Sequence, residues 1–216
     1  MTTCALVAAS DFNADHFKAL NDAGGFDYVV AVDAGFAYLE KLGVKPDLAI
    51  GDFDSLGYVP KARRVSKHPQ HKDQSDLELA LERVSTRRYS HVHVYGALGG
   101  RLDHTLANLQ LFALYAEQGF DITAIDMDCA LRVLVGPDAF DLPLFKSGTV
   151  SVFSATDVSH GVSERGLEYP LDDADLTNRT SLGLSNELIG QEAAVSVAEG
   201  TLYVFYPLAD SAAVSE

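Results

Sequence analysis

The stretch Asp47-Leu48-Ala49-Ile50-Gly51-Asp52-Phe53-Asp54-Ser55 is an apolar run that ends in two aspartates at alternate positions. The apolar part predicts a buried β-strand, and the glycine and aspartates mark the point where that strand ends. In open α/β sheets, ligands bind outside the carboxyl ends of the strands. The pair Asp52 and Asp54 is therefore expected at the binding edge of such a sheet, as a metal site, a phosphoryl-accepting nucleophile or a turn.

The first part of the chain, residues 1–127, alternates short apolar runs with helical patterns. This alternation predicts an α/β domain with a mostly parallel sheet. Helices are expected at Gly35–Leu42, after the capping pair Ser75 and Glu78, and from Leu102 to a stop at Gly119. The leucines and alanines of the last helix recur at helical spacing and are expected to be buried. The predicted strands are Ala5–Ala9, Tyr28–Val32, Leu48–Ile50, Val92–Tyr95 and Ile122–Ile125.

The second part of the chain, residues 128–216, contains short strand-like runs between turn signals and no convincing helix. This pattern predicts a C-terminal all-β sandwich domain or a small barrel. The polar stretch Asp172–Arg179 is expected to be a loop. The predicted strands are Leu131–Val135, Thr149–Phe153, Gly166–Pro170, Ala194–Val197 and Leu202–Tyr206.

The composition excludes several classes of partner. With 31 acidic and 16 basic side chains among 216 residues, the formal charge is −15, so the chain has too few cations to bind nucleic acid. No segment reaches the roughly 20 apolar residues that span a bilayer, so no membrane partner is expected. Two cysteines are too few for a disulfide framework or a thiolate metal site. We expect a soluble protein of the reducing cytoplasm.

More aspartates follow the first pair at the edges of other α/β elements, namely Asp73, Asp76 and Asp103. Two such charges about 4 Å apart repel by about 4 kcal/mol at an effective dielectric constant near ~20. Such a cluster accepts a polyphosphate only with a hard cation in between, and Mg²⁺ typically bridges carboxylates to substrate phosphates. The sequence thus predicts a site for a nucleotide–magnesium complex. The alternative is structural, because acidic residues also favour turns and helix starts.

A glycine-rich stretch, Gly96-Ala97-Leu98-Gly99-Gly100-Arg101, follows a predicted strand and opens a helix. Glycines allow the backbone to approach a ligand closely, and the helix N-terminus offers N–H groups to phosphate oxygens. Arg101 adds a planar donor fork that suits phosphate. At about 100° per residue, Arg101, His104 and Asn108 fall within an arc of roughly 60° that faces away from the leucines. These residues are expected to meet the nucleotide, although a solvated polar face is the alternative.

Five motifs then occur in a fixed order along the first part of the chain. They are Asp33-Ala34-Gly35, Pro46-Asp47, Gly51-Asp52-Phe53-Asp54-Ser55-Leu56, Lys72-Asp73-Gln74-Ser75-Asp76 and Gly96-Ala97-Leu98-Gly99-Gly100-Arg101-Leu102-Asp103-His104. Together they closely resemble the thiamine pyrophosphokinase family. The resemblance continues through Gly166–Leu171 and Gly183–Glu187 and covers residues 28–206.

This resemblance implies an N-terminal catalytic domain for ATP and magnesium and a C-terminal β-sandwich that helps to bind thiamine. It also implies a homodimer in which both subunits line each active site. The implied reaction transfers the terminal diphosphate of ATP to the hydroxyethyl group of thiamine and releases AMP. Mg²⁺ is the implied cofactor, and ATP is the co-substrate.

The resemblance also assigns roles to particular residues. The magnesium and phosphate site would comprise Asp52, Asp54, Asp73 and Asp76. Asp33 and Gly35 would lie near the nucleotide, and Arg101 and Asp103 would serve phosphate and metal or proton handling. With the residues derived from the glycine-rich stretch and the polar face of its helix, the expected nucleotide site comprises Asp33, Gly35, Gly51, Gly99, Gly100, Arg101, His104 and Asn108. Ser185 and Asn186 would hold the aminopyrimidine, and Tyr203 would stand in for a tryptophan that some relatives stack on thiamine, since this chain has no Trp.

In the expected mechanism, the hydroxyl attacks the β-phosphorus in line while Mg²⁺ and Arg101 stabilise the equatorial oxygens. Either Asp54 or Asp103 would take the hydroxyl proton. Two other functions remain open at this point. One is a magnesium-dependent phosphohydrolase with an aspartyl nucleophile at Asp52, and the other is a thiamine-binding module without catalysis.

Overall fold

The computed structural model describes residues 2–69, 73–86 and 89–208. Lys72 of the quoted motif and residues 209–216 of the predicted second domain lie outside the described residues. The described chain forms two compact units. The first runs up to Leu111 and includes Gly119–Met127, and the second comprises Phe112–Gln118 and the chain from Asp128 onward.

Among the described residues, the first unit contains six strands, four α-helices and one 3-10 turn at Asp33–Gly35. The strands are β1 (Thr3–Val7), β2 (Tyr28–Val32), β3 (Leu48–Gly51), β4 (Val65–Lys67), β5 (His91–Tyr95) and β6 (Asp121–Ile125). The helices are α1 (Ala14–Asp22), α2 (Phe36–Lys41), α3 (Asp76–Ser85) and α4 (Leu102–Glu117), whose last turns belong to the second unit. Sequence analysis missed α1 and the short edge strand β4.

The strands of the first unit lie in the order β4-β3-β2-β1-β5-β6 and pair in parallel. Ala5 of β1 faces Val29 on one side and His93 on the other. The chain therefore moves outward in both directions from β1, which places a topological switch point between β1 and β5. In such sheets, the crevice at the switch point is where ligands bind.

Burial on both faces explains why the strands of this sheet read as continuous apolar runs. All five residues of β2 are buried, because helices cover both faces of a parallel sheet. Phe17 of α1, Leu39 of α2 and Leu81 of α3 supply fully or almost fully buried side chains. The predicted α/β fold of this part of the chain is confirmed.

The predicted burial of the leucine stripe on α4 is wrong for the single chain. Leu102 is 82% exposed and Leu106 is 58% exposed. The residues that α4 buries are Phe112, Tyr115 and Ala116. Ala116 belongs to the predicted stripe, but the buried set is centred roughly a quarter turn away from that stripe at about 100° per residue. Helical spacing identifies an apolar face, but it does not say which face the rest of the fold covers.

Within the second unit, the strands that the structure describes pair antiparallel in two sets of four. Its strands are β7 (Cys129–Val135), β8 (Asp138–Asp141), β9 (Gly148–Ser154), β10 (Val158–Arg165), β11 (Leu171–Thr177), β12 (Asn186–Leu188), β13 (Ala194–Val197) and β14 (Thr201–Pro207). One sheet has the order β12-β9-β14-β7 and the other β11-β10-β13-β8. Side chains from both sheets, such as Val152, Val204, Val162 and Val195, share one core, so the predicted sandwich is confirmed.

Two predictions in the second unit are wrong. Asp172–Arg179, predicted as a loop, contains the edge strand β11, whose aspartates are exposed while Leu176 is buried. Gly166–Pro170, predicted as a strand, is a bend that contains one isolated β-bridge, between Leu167 and Leu188. Polar composition suits an exposed edge strand as well as a loop, so the sequence did not separate the two. Within the described ranges, no helix is long and apolar enough to cross a membrane.

Candidate active site

A cleft of about 490 Å³ opens at the carboxyl ends of β1, β2 and β5, where the topology places the switch point. Its walls come from the segments that follow these strands and from the first turns of α3 and α4. Seven of the residues that sequence analysis assigned to the site line it. They are Asp33, Asp76, Gly99, Gly100, Arg101, His104 and Asn108.

Three carboxylates meet beside this cleft. Asp33 follows β2, Asp52 follows β3 and Asp76 begins α3, and each offers one oxygen within 4.8 Å of the others. Asp33 Oδ1 is buried and has no hydrogen-bond partner in the described part of the chain. Burial raises the pKa of Asp33, and the charges of Asp76 and Asp52 raise it further. Such a set of oxygen donors fits a hard cation such as Mg²⁺.

The backbone brings these carboxylates together. Asp33 has φ 47° and Phe53 has φ 62°, both in the left-handed region that non-glycine residues seldom adopt. A Cβ on Gly51 would lie 3.0 Å from the Cα of Asp33, so a side chain at this position would push the end of β3 away. Gly51 therefore serves the site by permitting this approach, and it does not itself line the cleft.

The turn interpretation of the Asp52–Asp54 pair also holds. Asp52 Oδ1 accepts a hydrogen bond from the backbone N–H of Asp54 at 3.0 Å. One carboxylate thus shapes the turn and also joins the group with Asp33 and Asp76. Asp54 is exposed and instead lines a second cavity of about 310 Å³ together with Asp52 and Lys67.

The predicted set of four metal ligands is therefore not assembled as a group. Among the described residues, the cluster that could hold a metal contains Asp52 and Asp76 but neither Asp54 nor Asp73. Asp73 is exposed, two residues before the N-cap of α3. Asp33, which sequence analysis assigned to the nucleotide, takes a place in the cluster. Asp33 directly follows a buried strand just as Asp52 does, so the same signal was available for both.

The glycine-rich stretch folds tightly against the segment after β1. Gly99 has φ 75° and Gly100 has φ 61°. A Cβ on Gly99 would lie 2.4 Å from Asp11 Oδ2, and one on Gly100 would lie 2.7 Å from Ser10 Oγ. Only glycine satisfies both the backbone conformation and the space at these positions.

Sequence analysis missed Ser10 and Asp11, both of which line the cleft. Ser10 Oγ is buried and has no hydrogen-bond partner among the residues described. Both residues come just after the first apolar run of the chain, so the rule that identified Asp52 would have found them. The Ser10 hydroxyl beside the glycine-rich stretch is therefore able to bond a ligand in the cleft.

Arg101 at the start of α4 is engaged by a neighbour. Its Nε and Nη2 donate to Asp103 at 3.1 and 2.6 Å, and both side chains are largely exposed. The hydrogen bond from Arg101 lowers the pKa of Asp103 to about 2. A phosphate that binds Arg101 has to compete with this carboxylate. Asp103 does not line the cleft.

The other predicted cleft residues divide between lining and support. His104 is exposed on the first turns of α4, and Asn108 donates from Nδ2 to the carbonyl oxygen of Ala97 at 2.7 Å. Asn108 thereby ties α4 to the glycine-rich stretch. Gly35 does not line the cleft, because its Cβ position lies 2.0 Å from the carbonyl oxygen of Val7. Gly35 is required for close packing against β1.

The start of α3 carries two roles at once. Ser75 is the N-cap, and its side chain accepts from the backbone N–H of Glu78 at 3.1 Å. Asp76 lies in the first turn, where the helix dipole favours a negative charge. The same position brings its carboxylate to Asp33 and Asp52. The structural and functional interpretations of Asp76 are therefore compatible.

The predicted thiamine residues lie in the second unit and face different surroundings. Ser185 is exposed, and its backbone N–H donates to Ser151 Oγ at 3.1 Å. Tyr203 is half-buried, and burial together with the charge of Glu117 raises its pKa to about 12. Asn186 is only 5% exposed.

The side chain of Asn186 has no hydrogen-bonding capacity left for a ligand. Its Nδ2 donates to Glu164 Oε2 at 2.7 Å and to the carbonyl oxygen of Tyr169 at 2.8 Å. Its Oδ1 accepts from the backbone N–H groups of Tyr169 and Glu187 at 3.0 and 2.9 Å. An amide makes four such bonds at most. The expectation that this side chain holds the aminopyrimidine directly is therefore corrected.

Comparison with known proteins identifies the family. Residues 23–124 match the model of the thiamin pyrophosphokinase catalytic domain, and residues 141–202 match the thiamin pyrophosphokinase vitamin B1 binding domain. The thiamine pyrophosphokinase of Bacillus subtilis is 30% identical over 181 residues, which are 80% of this chain and 84% of the relative.

Solved structures agree with the sequence matches. The crystal structure of the thiamine pyrophosphokinase from Bacillus subtilis superposes with a TM-score of 0.80 at 26% identity, covering 95% of this chain and 99% of that one. The corresponding structure from Geobacillus thermodenitrificans gives 0.77 at 26% identity and covers 97% and 99%. The chain belongs to the thiamine pyrophosphokinase family of transferases.

Proposed function

We propose that this protein transfers the terminal diphosphate of ATP to thiamine and so forms thiamine diphosphate and AMP. The observation that carries the proposal is the group of Asp33, Asp52 and Asp76 beside a cleft at the switch point, in a chain of this family. In the reaction, the thiamine hydroxyl oxygen bonds to the β-phosphorus. The bond from that phosphorus to the bridging oxygen breaks, and AMP leaves with this oxygen.

The residues of the cleft would bind and orient the nucleotide. Asp33, Asp52 and Asp76 would hold Mg²⁺, with Asp54 contributing from outside the cluster. When bound, Mg²⁺ neutralises charge on the phosphate oxygens. Arg101 and the N–H groups of Gly99 and Gly100 would orient the phosphates, and His104 and Asn108 would complete the wall. Held in this way, the nucleotide and thiamine would meet in the in-line geometry on which the transfer depends.

The hydroxyl proton needs an acceptor, and the two candidates differ. Because Arg101 holds the pKa of Asp103 at about 2, Asp103 is a very weak base. Asp54 is exposed, and no cationic side chain among the described residues pairs with it. We therefore assign the proton to Asp54 and assign Asp103 to holding Arg101.

Thiamine would bind on the second unit, for which the match to a vitamin B1 binding domain is the support. Ser185 and Tyr203 expose polar and aromatic surface there, and Asn186 would act through the position of its neighbours. On this basis residues 1–127 form the ATP and magnesium domain and residues 128–216 the thiamine domain. Thiamine is a cation, so the excess of negative charge on the chain would favour its approach.

The direct test is incubation of the purified protein with ATP, Mg²⁺ and thiamine, followed by separation of the products. Equimolar AMP and thiamine diphosphate are expected. ADP with thiamine monophosphate would overturn the position of attack. ATP-independent phosphate release with a phospho-aspartate at Asp52 would favour a phosphohydrolase, and thiamine binding without AMP would favour a binding module. The family matches favour neither of these alternatives.

The same proposal includes a homodimer in which both subunits contribute to each active site. Its support is the exposed apolar face of α4, where Leu102 and Leu106 are 82% and 58% exposed. Large apolar side chains in such a patch favour burial against a partner. Light scattering should give the mass of a dimer, and Leu106→Glu should give that of a monomer. A monomeric wild-type protein would contradict this part of the proposal.

The cellular setting is proposed as the cytoplasm, without nucleic acid or membrane as partners. Its support is the low cysteine count and the acidic composition. Cell fractionation tests it, and recovery in a secreted or membrane fraction would contradict it.

A further inference from the structure

The core of the second unit contains a carboxyl group that the proposed reaction does not use. Glu164 on β10 is fully buried, and its Oε2 accepts from Asn186 Nδ2 at 2.7 Å. Its Oε1 is buried and has no hydrogen-bond partner in the described ranges. Burial raises the pKa of Glu164 to about 7. A buried carboxyl with a single partner is costly, so packing alone does not explain this residue.

Asn186 connects Glu164 to a bend in the backbone. The Asn186 side chain bonds both backbone polar groups of Tyr169. The N–H of Tyr169 donates to Asn186 Oδ1 at 3.0 Å, and Asn186 Nδ2 donates to the carbonyl oxygen of Tyr169 at 2.8 Å. The N–H of Glu168 also donates to the carbonyl oxygen of Glu187 at 3.0 Å. The Asn186 amide therefore supplies two of the hydrogen bonds that fix the bend at Gly166–Pro170 against β12, beside the backbone bond from Glu168 and the bridge between Leu167 and Leu188.

The two segments that Asn186 fixes both present exposed groups. Tyr169 is 62% exposed although its backbone is clamped on both sides. Ser185 precedes Asn186 directly and has φ 60°. A non-glycine residue in the left-handed region costs about 1 kcal/mol and persists only when its surroundings hold it. Rigid presentation of exposed side chains is what a preformed binding surface requires.

We propose that Glu164 and Asn186 form a buried positioning pair that fixes Tyr169 and Ser185 as two edges of the thiamine-binding surface. This inference rests on the proposed function, because it assumes that thiamine binds to this unit. Glu164 does not touch thiamine. It accepts the hydrogen bond that orients the Asn186 amide, and the amide in turn sets the bend and the start of β12.

The test compares two substitutions of Glu164 in steady-state kinetics with ATP and thiamine varied separately. Glu164→Leu removes the acceptor and should raise the KM for thiamine by about tenfold, the equivalent of one lost buried hydrogen bond. The KM for ATP should stay unchanged. Glu164→Gln keeps an amide oxygen that accepts from Asn186, so its KM for thiamine should stay within about twofold of wild type.

Ser159→Ala is the matched control. Ser159 lies on the same strand and is fully buried, but its hydroxyl bonds with Ser154 at 2.8 Å and lies outside the Asn186 contacts. This variant should unfold at a lower temperature and leave both KM values unchanged. A merely structural role for Glu164 predicts the same behaviour for Glu164→Leu.

Three results would overturn the inference: an unchanged KM for thiamine in Glu164→Leu, an equal rise of both KM values, or no restoration by Glu164→Gln. The absence of thiamine diphosphate with the wild-type enzyme would overturn the proposed function instead, before any variant is measured. If Glu164→Leu does not fold, hydrogen exchange of the wild type decides. Thiamine should slow exchange in residues 166–170 and 185–187, and unchanged exchange at saturation would overturn the inference.

Discussion

Each unit of this molecule contains a carboxyl group with one buried oxygen that no described residue partners, but the surroundings differ. Asp33 in the first unit lies with Asp52 and Asp76 within 4.8 Å, at the edge of a cleft. Glu164 in the second unit faces one neutral amide inside a core. A bound cation neutralises a cluster of carboxylates, whereas an isolated buried carboxyl becomes neutral by binding a proton. The neighbouring charges therefore decide what a buried carboxyl contributes.

The largest effect is expected from Asp52→Asn, which removes one charge from the cluster in the first unit. Turnover should fall by about 1000-fold, because the residue would help to hold the ion that offsets phosphate charge. The melting temperature should change little, because asparagine keeps a side-chain oxygen that can accept the hydrogen bond from the N–H of Asp54. Product formation and thermal unfolding measure the two effects.

Asp73→Asn is the matched control for Asp52→Asn, since Asp73 belongs to the same predicted set but lies outside the cluster. Its turnover should stay within about threefold of wild type, as expected for an exposed surface residue. Equal losses in the two variants would contradict the distinction between the cluster and its surroundings.

Glu164→Gln should change how stability depends on pH. The pKa of Glu164 rises from 4.5 to about 7 on folding, so its contribution is fully present below pH 4.5 and is lost as the pH rises through 7. The wild type should therefore lose about 3 kcal/mol relative to the variant between acidic and mildly alkaline pH. Urea unfolding of both proteins at several pH values measures this difference. Parallel pH profiles would contradict the assignment of the raised pKa to Glu164.

Gly99→Ala should affect the nucleotide side alone. The new Cβ would lie 2.4 Å from Asp11 Oδ2, in a backbone conformation with φ 75°. Either the Asp11 side chain, which lines the cleft, or the glycine-rich stretch would have to shift. The KM for ATP should therefore rise by about tenfold, the equivalent of about 1.4 kcal/mol. Gly24→Ala is the control, because it has φ 73° and nothing within 4 Å of its Cβ. A similar rise in both variants would show that backbone strain alone explains the change.

The smallest effect is expected from Asp103→Asn. Since Asp103 has a pKa of about 2 through its bond from Arg101, we assign it no proton transfer. Turnover should stay within about threefold of wild type, and its pH profile should keep its shape. A 100-fold or greater loss of turnover, with a shifted pH profile, would instead identify Asp103 as the acceptor of the hydroxyl proton.

Strand positions were the most predictable part of the structure. Tyr28–Val32 and Ala194–Val197 were predicted with the bounds observed. A short apolar run between turn residues is typical of a buried strand. The edge strand β11 and the helix α1 were not predicted. Their sequences are largely polar on the exposed side, so the signal that marks a buried element is weak there.

Within the site, the sequence indicated which residues follow buried strands, and the cleft draws on those positions. It did not indicate which of the aspartates converge. That depends on left-handed backbone at Asp33 and Phe53 and on the space at Gly51, which packing between neighbouring strands decides. Asn186 shows the same limit, because the motif that contains it does not reveal that its side chain points into the core.

The sequence by itself determined the two fold classes, the family and the edge of the sheet where charged side chains gather, because these follow from local spacing and the order of motifs. Only the tertiary structure decided that Asp33 joins Asp52 and Asp76, that Leu102 and Leu106 of α4 stay exposed, and that Asn186 binds Glu164. Spacing along the chain sets the direction of a side chain within a helix or strand. Which side chains of different elements meet depends on packing between residues that are distant in sequence.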